Sequence, residues 1–68
     1  MNKNLLKGKI AEKAMTQSEV AAAVGISRSR FSAKLNEKGG AEFSLGEVRA
    51  MKELLCLEGH QVEQIFFS

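Results

Sequence analysis

Signals that start and stop helices crowd the middle of this chain and leave no room there for a long element. Thr16-Gln17-Ser18-Glu19 has the T-x-x-E form of a capping box, in which the Thr hydroxyl accepts from a backbone N–H of the first turn and the Glu carboxylate reaches back to accept another. Gly25 is suited to the left-handed conformation that ends a helix, and Ser27 is a good N-cap for the next one. The spacing predicts a second helix from Gln17 to about Val24 and a third from Ser27 to Leu35 or Asn36. Only a very short turn is left to join them.

The flanking segments use similar signals. Leu5, Leu6 and Ile10 recur at helical spacing, so residues 3 to 14 read as a first helix. Gly8 weakens that helix by about 1 kcal/mol relative to Ala, and its smallness suits a close helix contact. Glu37-Lys38-Gly39-Gly40-Ala41-Glu42-Phe43 reads as a loop, after which Ser44-Leu45-Gly46-Glu47 forms a second capping box. The helix it opens, over about residues 44–56, places Leu45, Val48, Met51 and Leu55 on one stripe expected to face the core. A break near Glu58-Gly59 precedes Val62, Ile65 and Phe66, which predict a short fifth helix over about residues 60–66. The expected fold is all-α, one compact five-helix domain over residues 1–68.

Size and composition narrow the function. With 68 residues, 44% of them hydrophobic and 26% charged, the chain is ordinary for a folded domain but buries only about 60% of its unfolded surface, so a deep catalytic pocket is not expected. There is no Asp, and the single His60 has no Ser or Cys partner in a catalytic arrangement. Cys56, His60 and Glu63 would share a face only on an unbroken helix, and Gly59 interrupts it, so no metal or other cofactor is expected. Cys56 reads instead as a small buried apolar residue. A single cysteine allows no internal disulfide, and no secretory or membrane-spanning apolar run of roughly 18 residues is present, so the expected address is the cytoplasm, with no membrane partner.

Charge is divided along the chain. Residues 1–40 carry eight Lys or Arg against three Glu, net +5, while residues 41–68 carry two against five, net −3. A basic part that attracts a polyanion beside an acidic part that stays clear of it suits a nucleic-acid reader. Helix, tight glycine turn and helix within about 20 residues is the organisation of the helix-turn-helix, whose second helix enters the DNA major groove. Its packing rules are met: Val20, Ala21 and Val24 face inward, Ala21 is small where the helices nearly touch, Gly25 turns, and Ile26 and Phe31 fill the corner. At about 100° per residue, Arg28, Ser29, Ser32, Ala33 and Asn36 share one face of the third helix, away from Phe31 and Leu35. That polar face is the candidate reading head. Arg30 and Lys34 turn from its centre, on stems long enough to reach flanking phosphates.

"TQSEVAAAVGISRSRFSAKLN", residues 16–36, resembles the motif of the Cro and repressor type of helix-turn-helix regulators of phages and mobile elements, and "EFSLGEV", "MKELL" and the closing "QIFF" resemble its small Cro-like subgroup. The resemblance implies a five-helix, lambda-repressor-like DNA-binding domain that represses transcription by covering a promoter. It also implies site roles. Arg28, Ser29, Ser32 and Ala33 match base-reading positions, where an Arg can bond guanine N7 and O6 bidentately and a methyl can meet that of thymine. Gln17 matches a phosphate-bonding glutamine, and Asn36, with Lys38 behind it, a helix end that meets the backbone. Thr16, Ser27 and Arg30 complete the expected backbone contacts, Ser27 also being a cap whose N–H can hold a phosphate.

Two partner readings stand beside double-stranded DNA. Ile65 and Phe66 are expected to close the core, leaving Phe67 as an exposed anchor. Through it the chain would form a homodimer that addresses half-sites about one helical turn apart, or dock on a second regulatory protein as an antirepressor or co-repressor module.

Overall fold

Backbone N–H groups at a helix start lack partners within the helix, and this chain supplies side chains for them. In a computed structural model, which describes residues 1–67, the first helix α1 (Lys3–Glu12) opens with Asn2 Oδ1 accepting from the Leu5 N–H at 3.1 Å. Helix α2 (Gln17–Val24) opens with the full Thr16/Glu19 box, α3 (Arg28–Leu35) with Ser27 Oγ accepting from the Arg30 N–H at 3.2 Å, and α4 (Leu45–Leu54) with the full Ser44/Glu47 box. Helix α5 (Gly59–Phe66) uses a device not anticipated above: Gln61 Oε1 accepts from the Glu58 N–H at 2.8 Å. A single 3₁₀ turn, Lys38–Gly40, lies in the loop after α3, and no strand occurs among the described residues.

Three helix ends share one pattern of paired bonds to the last carbonyls. Gly25 after α2, with φ +92°, lets the Ile26 N–H reach the Ala21 carbonyl at 3.0 Å. Ala14 does the same after α1, Met15 N–H to Ile10 carbonyl at 3.2 Å, and Cys56 after α4, Leu57 N–H to Lys52 carbonyl at 2.9 Å, both at φ +53°. These left-handed residues stop α1 at Glu12 and α4 at Leu54, short of the expected residues 14 and 56. Cys56 is therefore exposed in a turn and not a buried apolar residue.

Each helix turns a narrow apolar stripe inward. Leu6 and Ile10 of α1, Val20 and Ala21 of α2, Phe31 and Leu35 of α3, and Ile65 of α5 are all buried, joined by Met51 and Leu55 from α4 and its end. Phe31 is fully enclosed and receives Phe43 edge-on, at 5.3 Å between ring centroids; Phe43 in turn meets Phe66 at 6.0 Å. Helix α2 packs against both α3 and α4, while α5 closes over α1 and α4. Val24 and Ile26 are half-buried against the core.

Two further sequence expectations about packing fail. Leu45 is 63% exposed, because on a helical wheel it lies nearly a quarter turn from the mean direction of Val48, Met51 and Leu55, and a first-turn side chain points beyond the helix start. Gly8 is exposed with open space where a Cβ would stand, so no close contact exploits its size. No helix among the described residues is long and apolar enough to cross a membrane.

Candidate nucleic-acid interface

Helix α3 gives its two large apolar residues to the core and leaves most of its polar ones outside. Phe31 and Leu35, one turn apart, anchor it; Arg28, Ser29, Arg30 and Ser32 are exposed and Ala33 is half-exposed. Arg28, Ser29, Ser32, Ala33 and Asn36 line one open depression of about 450 Å³, and Lys38, from the 3₁₀ turn that follows, closes its far end. The four base-reading candidates are thus brought together with two of the backbone candidates.

Chemically this surface offers a guanidinium fork, two hydroxyls that donate or accept, an amide and a methyl group. Among the described residues, Arg28, Arg30 and Lys38 form no ion pair, so their charges are uncompensated on the outside of α3. Lys34 differs. Its ammonium lies 2.7 Å from both carboxylate oxygens of Glu47, with both side chains largely out of solvent, so it is committed to α4 and not free for a flanking phosphate. Partial burial alone would raise the Glu47 carboxyl; the Lys34 hydrogen bond, the Ser44 N–H and the Lys34 charge outweigh it and hold the group below its ordinary value.

The remaining candidates lie at the margins. Thr16 Oγ1 accepts from the Glu19 N–H at 3.1 Å, and Ser27 Oγ is occupied by its own cap, so each offers the outside only what the cap leaves free. Gln17 is half-buried and lines a shallow depression with Lys7, Ile10, Ala11 and Met15, on the α1 side and apart from the α3 depression. Phe67 is 65% exposed and, with Phe43, Val48 and Phe66, lines a separate cavity of about 240 Å³. Cys56 precedes α5 while His60 and Glu63 lie within it, so the three do not share a helix.

One residue at this surface has no counterpart in the sequence reading. Lys3, at the start of α1, places its Nζ 3.1 Å from Asn36 Oδ1. The two are 33 positions apart, and only the tertiary fold makes them neighbours. Its positive charge was the sole local signal.

Comparisons with curated proteins and with solved structures gave no match. A family match, in contrast, takes in every element that builds this surface, from Lys3 at the start of α1 to Phe67: over residues 2–68 the chain matches, and belongs to, the family described as "protein of unknown function (DUF739)".

Proposed function

We propose that the chain is a sequence-specific double-stranded DNA-binding transcriptional regulator, a lambda-repressor-like helix-turn-helix domain of the Cro type. Helices α2 and α3 form the motif, and α3 lies in the major groove. The observation that carries the reading is the outer face of α3 and the turn after it: uncompensated Arg28 and Lys38 around two serines and the Ala33 methyl, with unpaired Arg30 exposed on the same helix, whose large apolar residues Phe31 and Leu35 are buried in the core. Phosphate-seeking charge supplies affinity and the Arg28 fork and hydroxyls supply sequence preference. Repression follows from occupying a promoter and excluding polymerase or a competing regulator.

The test is selection of bound duplexes from a random DNA pool, repeated with Arg28→Ala. The wild type should enrich one motif, a dyad if the chain dimerises, and Arg28→Ala should relax one base position by roughly 10- to 100-fold, the value of one bidentate contact. Enrichment of no sequence by the wild type overturns the reading.

A second reading draws on Phe67, whose ring stands exposed beside the Phe43/Phe66 cavity. In it the chain acts mainly by docking on another regulatory protein. Loss of repression on Phe67→Ser with none on Arg28→Ala would favour it.

A further inference from the structure

Asn36 at the end of α3 is the residue that the resemblance assigns to the DNA backbone, yet both ends of its amide are already engaged within the protein. Its Nδ2 donates to the Ser32 carbonyl at 2.9 Å and stands 3.5 Å from Ser32 Oγ, and its Oδ1 accepts from Lys3 Nζ at 3.1 Å. An ammonium carries three donors and no acceptor, so Asn36 engages one and leaves two. Among the described residues nothing else pairs with Lys3.

The first residues of a chain are normally loose, but here they are tied down. The Asn2 N–H donates to the Ile65 carbonyl at 2.7 Å, Asn2 Oδ1 caps α1, and Leu6, one turn along from Lys3, is fully buried. Lys3 is thus a surface cation on an anchored helix start, its head group pinned over the end of α3. A lysine held this way has less rotamer freedom left to lose on meeting an anion than one that projects freely.

We propose that Lys3 is a DNA-phosphate contact and that Asn36 is the positioning residue that aims it. The strand running past the end of the reading face is then gripped from two elements, Lys3 of α1 and Lys38 of the turn after α3. Asn36 acts through Lys3 and not on the phosphate itself. This assignment rests on α3 being the reading helix.

Salt dependence separates a phosphate contact from a bond that merely links α1 to α3. Each phosphate neutralised on B-DNA contributes about 0.9 to the slope of log K against log salt. Binding of a labelled copy of the selected duplex should be followed between 50 and 200 mM salt for wild type, Lys3→Gln, Lys3→Arg, Asn36→Ala and Arg28→Ala, after circular dichroism has shown each to be folded. Lys3→Gln should flatten the slope by about 0.9, so that the wild-type advantage shrinks about threefold across that range, with base preference unchanged. Lys3→Arg should restore the slope. Asn36→Ala should keep the slope, since the charge remains, and weaken binding equally on all sequences.

A wild-type slope in Lys3→Gln, with Arg28→Ala still relaxing base preference, overturns the Lys3 assignment and leaves the DNA reading standing. A wild type that prefers no sequence removes both. Unchanged affinity in Asn36→Ala overturns the positioning role alone.

Discussion

Helices α2 and α4 open with the same four-residue device and close with the same pair of hydrogen bonds, but they are tied into the molecule differently. In the α2 box Glu19 is exposed, and its carboxylate accepts from the Thr16 N–H at 2.8 Å. In the α4 box Glu47 accepts from the Ser44 N–H at 2.8 Å and also receives the Lys34 ammonium at 2.7 Å, with its side chain only 14% exposed. One motif therefore begins a helix and does no more, while the other also holds the last turn of α3 against α4. The difference lies in which element crosses the box, since the capping pairs Thr16/Glu19 and Ser44/Glu47 make the same two hydrogen bonds.

Replacing each glutamate by glutamine isolates that difference, because glutamine can still complete a capping box. Glu47→Gln leaves a largely buried Lys34 without a counter-charge and should cost about 2 kcal/mol, lowering Tm by about 10 °C in a domain of this size. Glu19→Gln should cost a small fraction of that. Thermal melts of the pair at neutral pH check the contrast, and equal shifts would show that the Lys34 bond contributes nothing to stability.

Acid should erase the larger effect. The Glu47 carboxyl sits below its ordinary value in the folded protein, so its contribution is fully present above the unfolded value of about 4.3 and is lost as pH falls through the folded value. Every other carboxyl group is common to both proteins and cancels in the difference. The stability gap between wild type and Glu47→Gln, wide at pH 7, should therefore begin to narrow below about pH 4.3 and close further into acid. Denaturant melts of both proteins across pH 2.5–7 read the gap directly, and a gap that stays constant refutes the ion pair as its source.

The same contrast explains what could be read in advance. Helices α2 and α3 were legible nearly to the residue because Thr16, Glu19, Gly25 and Ser27 write their boundaries in chemistry that acts over three or four positions. The outward grouping of Arg28, Ser29, Ser32 and Ala33 followed from helical geometry once Phe31 and Leu35 were assigned to the core. Leu45 was misplaced because it was grouped with Val48, Met51 and Leu55 although its direction lies nearly a quarter turn from theirs and its first-turn side chain points beyond the helix start. Lys34–Glu47 and Lys3–Asn36 were invisible, since 13 and 33 positions separate the partners and only the tertiary fold brings them together. The ends of α1 and α4 were missed because Ala14 and Cys56 do work usually left to glycine.

That last point yields the smallest and most delicate test, at the closing turns of α2 and α4. Gly25 stands at φ +92°, outside the narrow left-handed well open to other residues, whereas Cys56 at φ +53° sits inside it. Space is not the issue at Gly25, since an added Cβ would meet nothing within 4 Å. Gly25→Ala should therefore cost about 1 kcal/mol through backbone strain alone. Cys56→Gly should act in the opposite direction and by less, stabilising by about 0.5 kcal/mol, because relief of a milder strain is partly offset by the greater freedom of glycine in the unfolded chain. Cys56→Ala supplies the reference, as it removes the thiol and keeps the Cβ, and its Tm should match wild type. A stabilisation by Cys56→Ala as large as that by Cys56→Gly would place the effect in the exposed thiol and not in the left-handed backbone, and the likeness between the two helix ends would then be one of hydrogen bonding only.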